Sequence, residues 1–151
     1  MMSNHYHLLL SPVVENGISL FMKKLNGGYA KYFNEKYERS GALFQGKYKS
    51  VHIDNDRHFL FIPYYIHFNP LDLKYPEWRN RDIKDLNGAI EYLKDYRWSS
   101  HLDYLGIKNF PSVTQRETLL NNFGSIKEYT DALKGELKNF SQEGFEDIAI
   151  E

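Results

Sequence analysis

Cysteine is missing from all 151 residues. That excludes disulfides and cysteine–zinc centres, and a reducing cytoplasmic setting is expected. No apolar run approaches the ~18 residues that a membrane span needs. No basic-then-apolar leader opens the chain. Internal repeats and low-complexity tracts are absent too. Charge of one sign is also lacking: 19 Lys and Arg face 20 Asp and Glu, a formal −1. Bulk charge therefore gives no pointer to a nucleic-acid partner. What remains is a globular composition, 42% apolar and 26% charged, at a length that suits one domain with a real core.

The near-zero charge hides an asymmetry. From Phe21 to Ser50, seven cations face Glu35 and Glu38, a net +5. From Glu128 to Glu151, seven acids face two lysines, a net −5. The two cancel in the sum. Aromatics are abundant, with 12 Tyr and 10 Phe. In the basic segment they interleave with the lysines, as at Tyr29, Tyr32, Phe33, Tyr37 and Tyr48. Lysines neutralise phosphates and aromatic faces stack on unpaired bases, so the mixture suits single-stranded nucleic acid. The plainer reading is a helix with an aromatic core face and a solvated charged face, and for the aromatics alone it is preferred.

Periodicity sketches the elements. His5–Leu10 is a short apolar run closed by Ser11-Pro12 and reads as a buried strand. Apolar residues from Ile18 to about Tyr37 recur at helical spacing. Gly27-Gly28 weakens that helix or admits a close neighbour. Leu43–Ile53 alternates partly and reads as a second strand, with a bulge near Gly46. Asp54 is the expected cap of a helix running to Asn69, with Pro63 inside it and Pro70 beyond. Leu71–Asp85 reads as an irregular charged connection. Short helices are expected over Leu86–Tyr96, from Ser99 to Gly106, over Gln115–Asn122 and over Ser125–Lys138.

Two clusters carry chemistry. On an extended segment His5 and His7 point to the same side and can converge on one ion. Alone, this pattern is weak. In "PYYIHFNP", Tyr65 and Asn69 lie four apart and share a helix face, while Tyr64 and His67 point elsewhere. Alone, a tyrosine-rich core helix ending in Asn-Pro explains it better.

Together, "NHYHLLL", "GALFQGKYKS", "YYIHFNP" and "YRWSSHLDYLG" resemble the HUH single-strand DNA tyrosine transposases. The nearest branch is the repeat-associated tyrosine transposases and their insertion-sequence relatives. The resemblance runs from residue 2 to about residue 106. It implies an α+β fold, an antiparallel sheet of the HUH (ferredoxin-like) type packed with helices. Segments 5–10 and 43–53 would be antiparallel neighbours in that sheet. The domain would span 1–106, followed by a helical extension with an acidic tail over 107–151. In the family, about a third of the domain precedes the HUH strand, so the sheet is expected to be incomplete at the N-terminus. Either the chain is a truncated or remnant product, or an oligomer such as a homodimer, or a separate chain, covers the exposed edge.

The resemblance also assigns roles. His5 and His7 would be metal ligands, Asn69 the third ligand and Tyr65 the nucleophile. Lys47 and Lys49 would lie near the DNA backbone. The other histidines, His52, His58, His67 and His101, read as ordinary, with His67 the first exception to expect because it neighbours Tyr65 and could contact DNA. The working ion would be Mg²⁺ or Mn²⁺, although two imidazoles favour Mn²⁺ or Zn²⁺. The partner would be single-stranded or hairpin DNA. Three function classes stay open. One is a strand transferase that forms a 5′-phosphotyrosine. Another is a catalytically inactive single-strand or hairpin DNA binder descended from it. The third is an unrelated histidine-site metal hydrolase.

Overall fold

A computed structural model describes residues 1–140, which leaves residues 141–151 of the expected acidic tail outside the described residues. The described chain forms two compact units, one of residues 1–8 and 53–140 and one of residues 9–52. Six α-helices follow in order: α1 Gly17–Lys36, α2 Asp56–Phe68, α3 Leu86–Asp95, α4 His101–Tyr104, α5 Glu117–Phe123 and α6 Ile126–Asn139. Two 3₁₀ turns, Asn69–Leu73 and Pro76–Asn80, fill the stretch expected to be irregular.

The expected α+β sheet does not form: among the described residues there is no strand. Alternation marks a segment able to be a strand, but a strand exists only as half of a hydrogen-bonded ladder. Residues 5–10 run without regular structure and carry no ladder. Residues 43–53 bend repeatedly up to residue 47, which breaks the pleat a ladder requires.

The larger unit is built on an aromatic core. Phe68, Leu71, Trp78, Leu93 and Tyr129 are fully buried, and α6 adds Leu133 and Leu137 to the same cluster. Rings meet at offset or edge-on geometry, Trp78–Phe140 at 4.9 Å and Tyr64–Tyr129 at 5.7 Å between centroids. Caps set the helix starts. Asn55, rather than the expected Asp54, caps α2, its side-chain oxygen accepting the His58 N–H at 2.8 Å. Asp85 caps α3 through the Gly88 N–H, and Ser125 caps α6 through the Glu128 N–H.

The smaller unit holds α1, of which Met22 is the one buried residue. The aromatic face expected to be a core face is open: Tyr32 and Phe21 are 54% and 45% exposed. Its rings pack on one another instead, with Phe33–Tyr37 at 4.5 Å and Tyr29–Phe44 at 6.3 Å. Lys36 lies over Tyr32 and Tyr37, and Arg39 over Phe33. Nothing approaches within 4 Å of a Cβ placed at Gly27 or Gly28, so close packing is not what this pair serves. Asn34 Nδ2 donates to the Gly41 carbonyl at 2.9 Å, tying α1 to the turn where Gly41 adopts φ +91°.

Candidate active site

The site assembles at the C-terminal end of α2. Asn69 caps that helix, its backbone N–H reaching the Tyr65 carbonyl, so one helical turn fixes the two residues relative to each other. His5 and His7 arrive on the irregular segment at the start of the larger unit. His5 Nε2 stands 3.1 Å from Asn69 Oδ1, and His5 Nδ1 stands 2.8 Å from Asn4 Oδ1. The two imidazoles meet edge to face at 5.0 Å between centroids. The His7 ring then meets the Tyr65 ring at 5.3 Å. His5, His7, Asn69 and Tyr65 are therefore brought together, although the sheet expected to carry the histidines is absent. A small cavity lined by Met1, Met2, His7, Ile66, Asn69 and Pro70 opens beside them.

Among the described residues no three of His, Cys, Asp and Glu converge. A metal here would rest on the two imidazoles and the amide oxygen, and those atoms suit it. Neighbouring ligands of an octahedral ion, each at about 2.1 Å, stand about 3 Å apart, close to the His5–Asn69 separation. Among the described residues the buried Asn69 Nδ2 has no hydrogen-bond partner, so little else there fixes this amide where it lies.

Tyr65 is 2% exposed, its ring lying among His7, Phe61 and Trp78, with the Arg79 guanidinium 5.8 Å away. Tyr64 points into the α6 side of the core. Burial, with a contribution from the Glu136 carboxylate, pushes its phenol up to about 12.

Sequence reasoning missed an acidic anchor beside the site. Asp72, on the turn that follows α2, accepts from Trp78 Nε1 at 2.7 Å and pairs with Arg79 through both oxygens, at 2.8 and 2.6 Å. Burial works against its carboxylate, but the hydrogen bonds from Arg79 and Trp78 outweigh it, and the acid is held below its usual range. The nearby His5 imidazole adds to this. No periodicity or spacing in this charged stretch marked Asp72 beforehand.

His67, expected as the exception among the ordinary histidines, is buried within the core. Its Nδ1 meets the Tyr129 hydroxyl at 2.9 Å and its Nε2 the Ser100 hydroxyl at 2.9 Å. His101 Nδ1 meets the same Tyr129 hydroxyl at 2.9 Å. One hydroxyl can donate to only one of the two rings, so the other ring must carry its own Nδ1 proton. Burial pulls His67 well below its ordinary value, and His101 likewise to about 4. Lys47 and Lys49 lie exposed on the smaller unit, with Tyr48 between them bonded to Ser19 at 2.9 Å.

Residues 1–69 match the family model described as "Transposase IS200 like". Over that stretch the chain is similar to the IS200-like transposases. The family is one of transposases, enzymes of DNA recombination. The matched stretch ends on Asn69, so it includes His5, His7, Lys47, Lys49 and Tyr65 and excludes "YRWSSHLDYLG". No curated protein and no solved structure matches the chain. Among the described residues no helix is long and apolar enough to cross a membrane.

Proposed function

We propose that this chain is a transposase that cleaves and rejoins single-stranded or hairpin DNA through Tyr65, with a divalent ion, Mg²⁺ or Mn²⁺, held by His5, His7 and Asn69. The observation that carries the reading is the meeting of these four side chains at the end of α2. A bound divalent ion would supply polarisation of the scissile phosphate and stabilisation of developing charge.

The chain's own residues do the rest. Tyr65 attacks phosphorus through its phenolic oxygen, which loses its proton. The bond to the 3′ oxygen breaks, leaving a free 3′-hydroxyl and a 5′-phosphotyrosine. The link stores the phosphodiester bond, so a 3′-hydroxyl can rejoin without a nucleotide cofactor. His5 and His7 lie close enough, 5.0 Å between ring centroids, to offer their ring nitrogens to one ion. Asn69 stays in register with Tyr65 because both sit on one turn of α2. Lys47 and Lys49 contact the DNA backbone as point charges.

One observation favours a second reading. Tyr65 is almost wholly buried, so a phosphodiester reaches it only after its neighbours move. An inactive DNA binder retaining the transposase site fits that burial. The test is incubation with hairpin-bearing single-stranded DNA and Mn²⁺, scored for a denaturation-resistant protein–DNA adduct. The first reading expects an adduct that Tyr65→Phe abolishes and Tyr64→Phe keeps. Binding without any adduct selects the second. Metal-dependent cleavage that survives Tyr65→Phe rejects both.

A further inference from the structure

Trp98 stands out because it is 56% exposed while the only other tryptophan, Trp78, is fully buried. An isolated exposed apolar residue is ordinary. This one is held in place from several directions. Its ring lies nearly parallel to Phe110, at 6.1 Å and 17°. The Arg97 guanidinium lies over both rings, 5.3 Å from Trp98 and 5.6 Å from Phe110. Asn109 Nδ2 donates to the carbonyls on either side of the tryptophan, Arg97 at 2.7 Å and Ser99 at 3.1 Å. Asn109 and Phe110 are in turn fixed by the buried Asp103 carboxylate, which accepts both of their backbone N–H groups at 3.0 Å.

The platform also adjoins the candidate active site. The Trp98 carbonyl accepts from the Met1 amine at 2.5 Å, and the Tyr96 hydroxyl donates to the Met1 carbonyl at 2.5 Å. Met1 itself lines the cavity at His7 and Asn69. Met1 therefore links the Trp98 backbone to the cavity at His7 and Asn69.

We propose that Trp98, with Arg97 beside it, is the stacking platform for an unpaired base of the single-stranded DNA that enters the site. A rigid exposed indole offers a π-face that any unpaired base can use, and the guanidinium adds a cation for the adjoining phosphate. A base inside a duplex has both faces occupied and gains nothing from this surface. The inference rests on the DNA strand-transfer reading, but it concerns where the strand lies rather than whether Tyr65 reacts.

The test uses the full chain labelled with 5-fluorotryptophan, which gives one resonance for each tryptophan, assigned by Trp98→Phe. Single-stranded oligothymidylate should shift the Trp98 resonance and leave that of Trp78 in place. Its duplex with oligoadenylate should not. Trp98→Ala should weaken single-strand binding by about 5- to 150-fold, and Trp98→Phe should recover most of the loss. Arg97→Ala should weaken it less and lower the salt dependence. Far-UV circular dichroism of each variant guards against misfolding, which is not expected at so exposed a position. Unchanged affinity in Trp98→Ala, an equal shift with duplex, or a shift that follows protein concentration without DNA overturns the platform. Those results leave the Tyr65 adduct experiment unaffected. If the wild-type chain binds no single strand at all, the strand-transfer reading fails and the platform falls with it.

Discussion

Replacing Asp72 by alanine separates a structural anchor from an incidental surface ion pair. The carboxylate takes three hydrogen bonds, one from the fully buried Trp78 indole and two from the Arg79 fork. Its side chain is 26% exposed and that of Arg79 21%, so the pair is neither a solvated surface bridge nor fully dry. An exposed bridge contributes about 0–1 kcal/mol, and breaking a fully buried one costs about 3–5 kcal/mol. Stranding the buried Trp78 N–H adds about 1–3 kcal/mol of its own. An intermediate loss of about 3 kcal/mol is expected for Asp72→Ala. For a chain of this size that corresponds to roughly 6–12 °C in Tm. Asp72→Asn keeps an acceptor for the indole but loses the charge, so it should cost about half as much.

The pH dependence provides a second check. The folded state holds the Asp72 carboxyl below its ordinary value, so its stabilisation is present above the unfolded pKa, near 4. It is lost as pH falls through the lower, folded value. Urea unfolding of wild type and Asp72→Ala from neutral pH downward should therefore converge below about pH 4. If the variant unfolds within about 0.5 kcal/mol of wild type at pH 7, a difference typical of an ordinary surface substitution, the anchor argument is refuted.

Removing the phenolic oxygen in Tyr129→Phe leaves the His67 and His101 Nδ1 atoms without their shared partner. The expected cost is about 1–3 kcal/mol in urea unfolding, and an unchanged midpoint would show that the cluster carries no weight. Both imidazoles have folded pKa values below the ordinary one, His101 at about 4. The unfolded chain therefore binds protons first, and stability should decline as pH falls from about 6.5 towards 4; a flat profile there contradicts neutral burial. Mn²⁺ at about 100 times its Kd should stabilise the wild-type chain by about 2.7 kcal/mol, and His5→Ala or His7→Ala should abolish the effect. Stabilisation that survives both substitutions places the ion elsewhere. Replacing Lys47 and Lys49 together by alanine should reduce the salt slope of single-strand binding by about 1.4, the value for two phosphate contacts; an unaltered slope moves the DNA path off this segment.

Local patterns were legible and pairings were not. The spans of α1 and α6 follow from periodicity within a few residues. Spacing alone relates His5 to His7 and Asn69 to Tyr65; the meeting of His5 with Asn69 was expected only from the family resemblance that the two motifs carry together. A ladder, by contrast, belongs to two segments at once, and alternation over residues 43–53 describes only one of them. The Asp72–Arg79–Trp78 anchor escaped for a related reason. It lies in a charged stretch without periodicity, and two consecutive 3₁₀ turns close a seven-residue separation that no spacing rule reads. Tyr65 shows the limit most sharply. Its spacing from Asn69 fixes which way it faces on α2, and a helix ending at Asn-Pro suggested that this face borders a cleft. Asn69 does border the cavity, whereas Tyr65, one turn earlier, is enclosed by His7, Phe61 and Trp78. Around that turn α2 buries Tyr64, Tyr65, His67 and Phe68 together, so it has no solvated side there for periodicity to mark. Where every face of a helix is covered, position on a face no longer tells a reactive phenol from a packed one, and only chemistry at the Tyr65 oxygen can distinguish them.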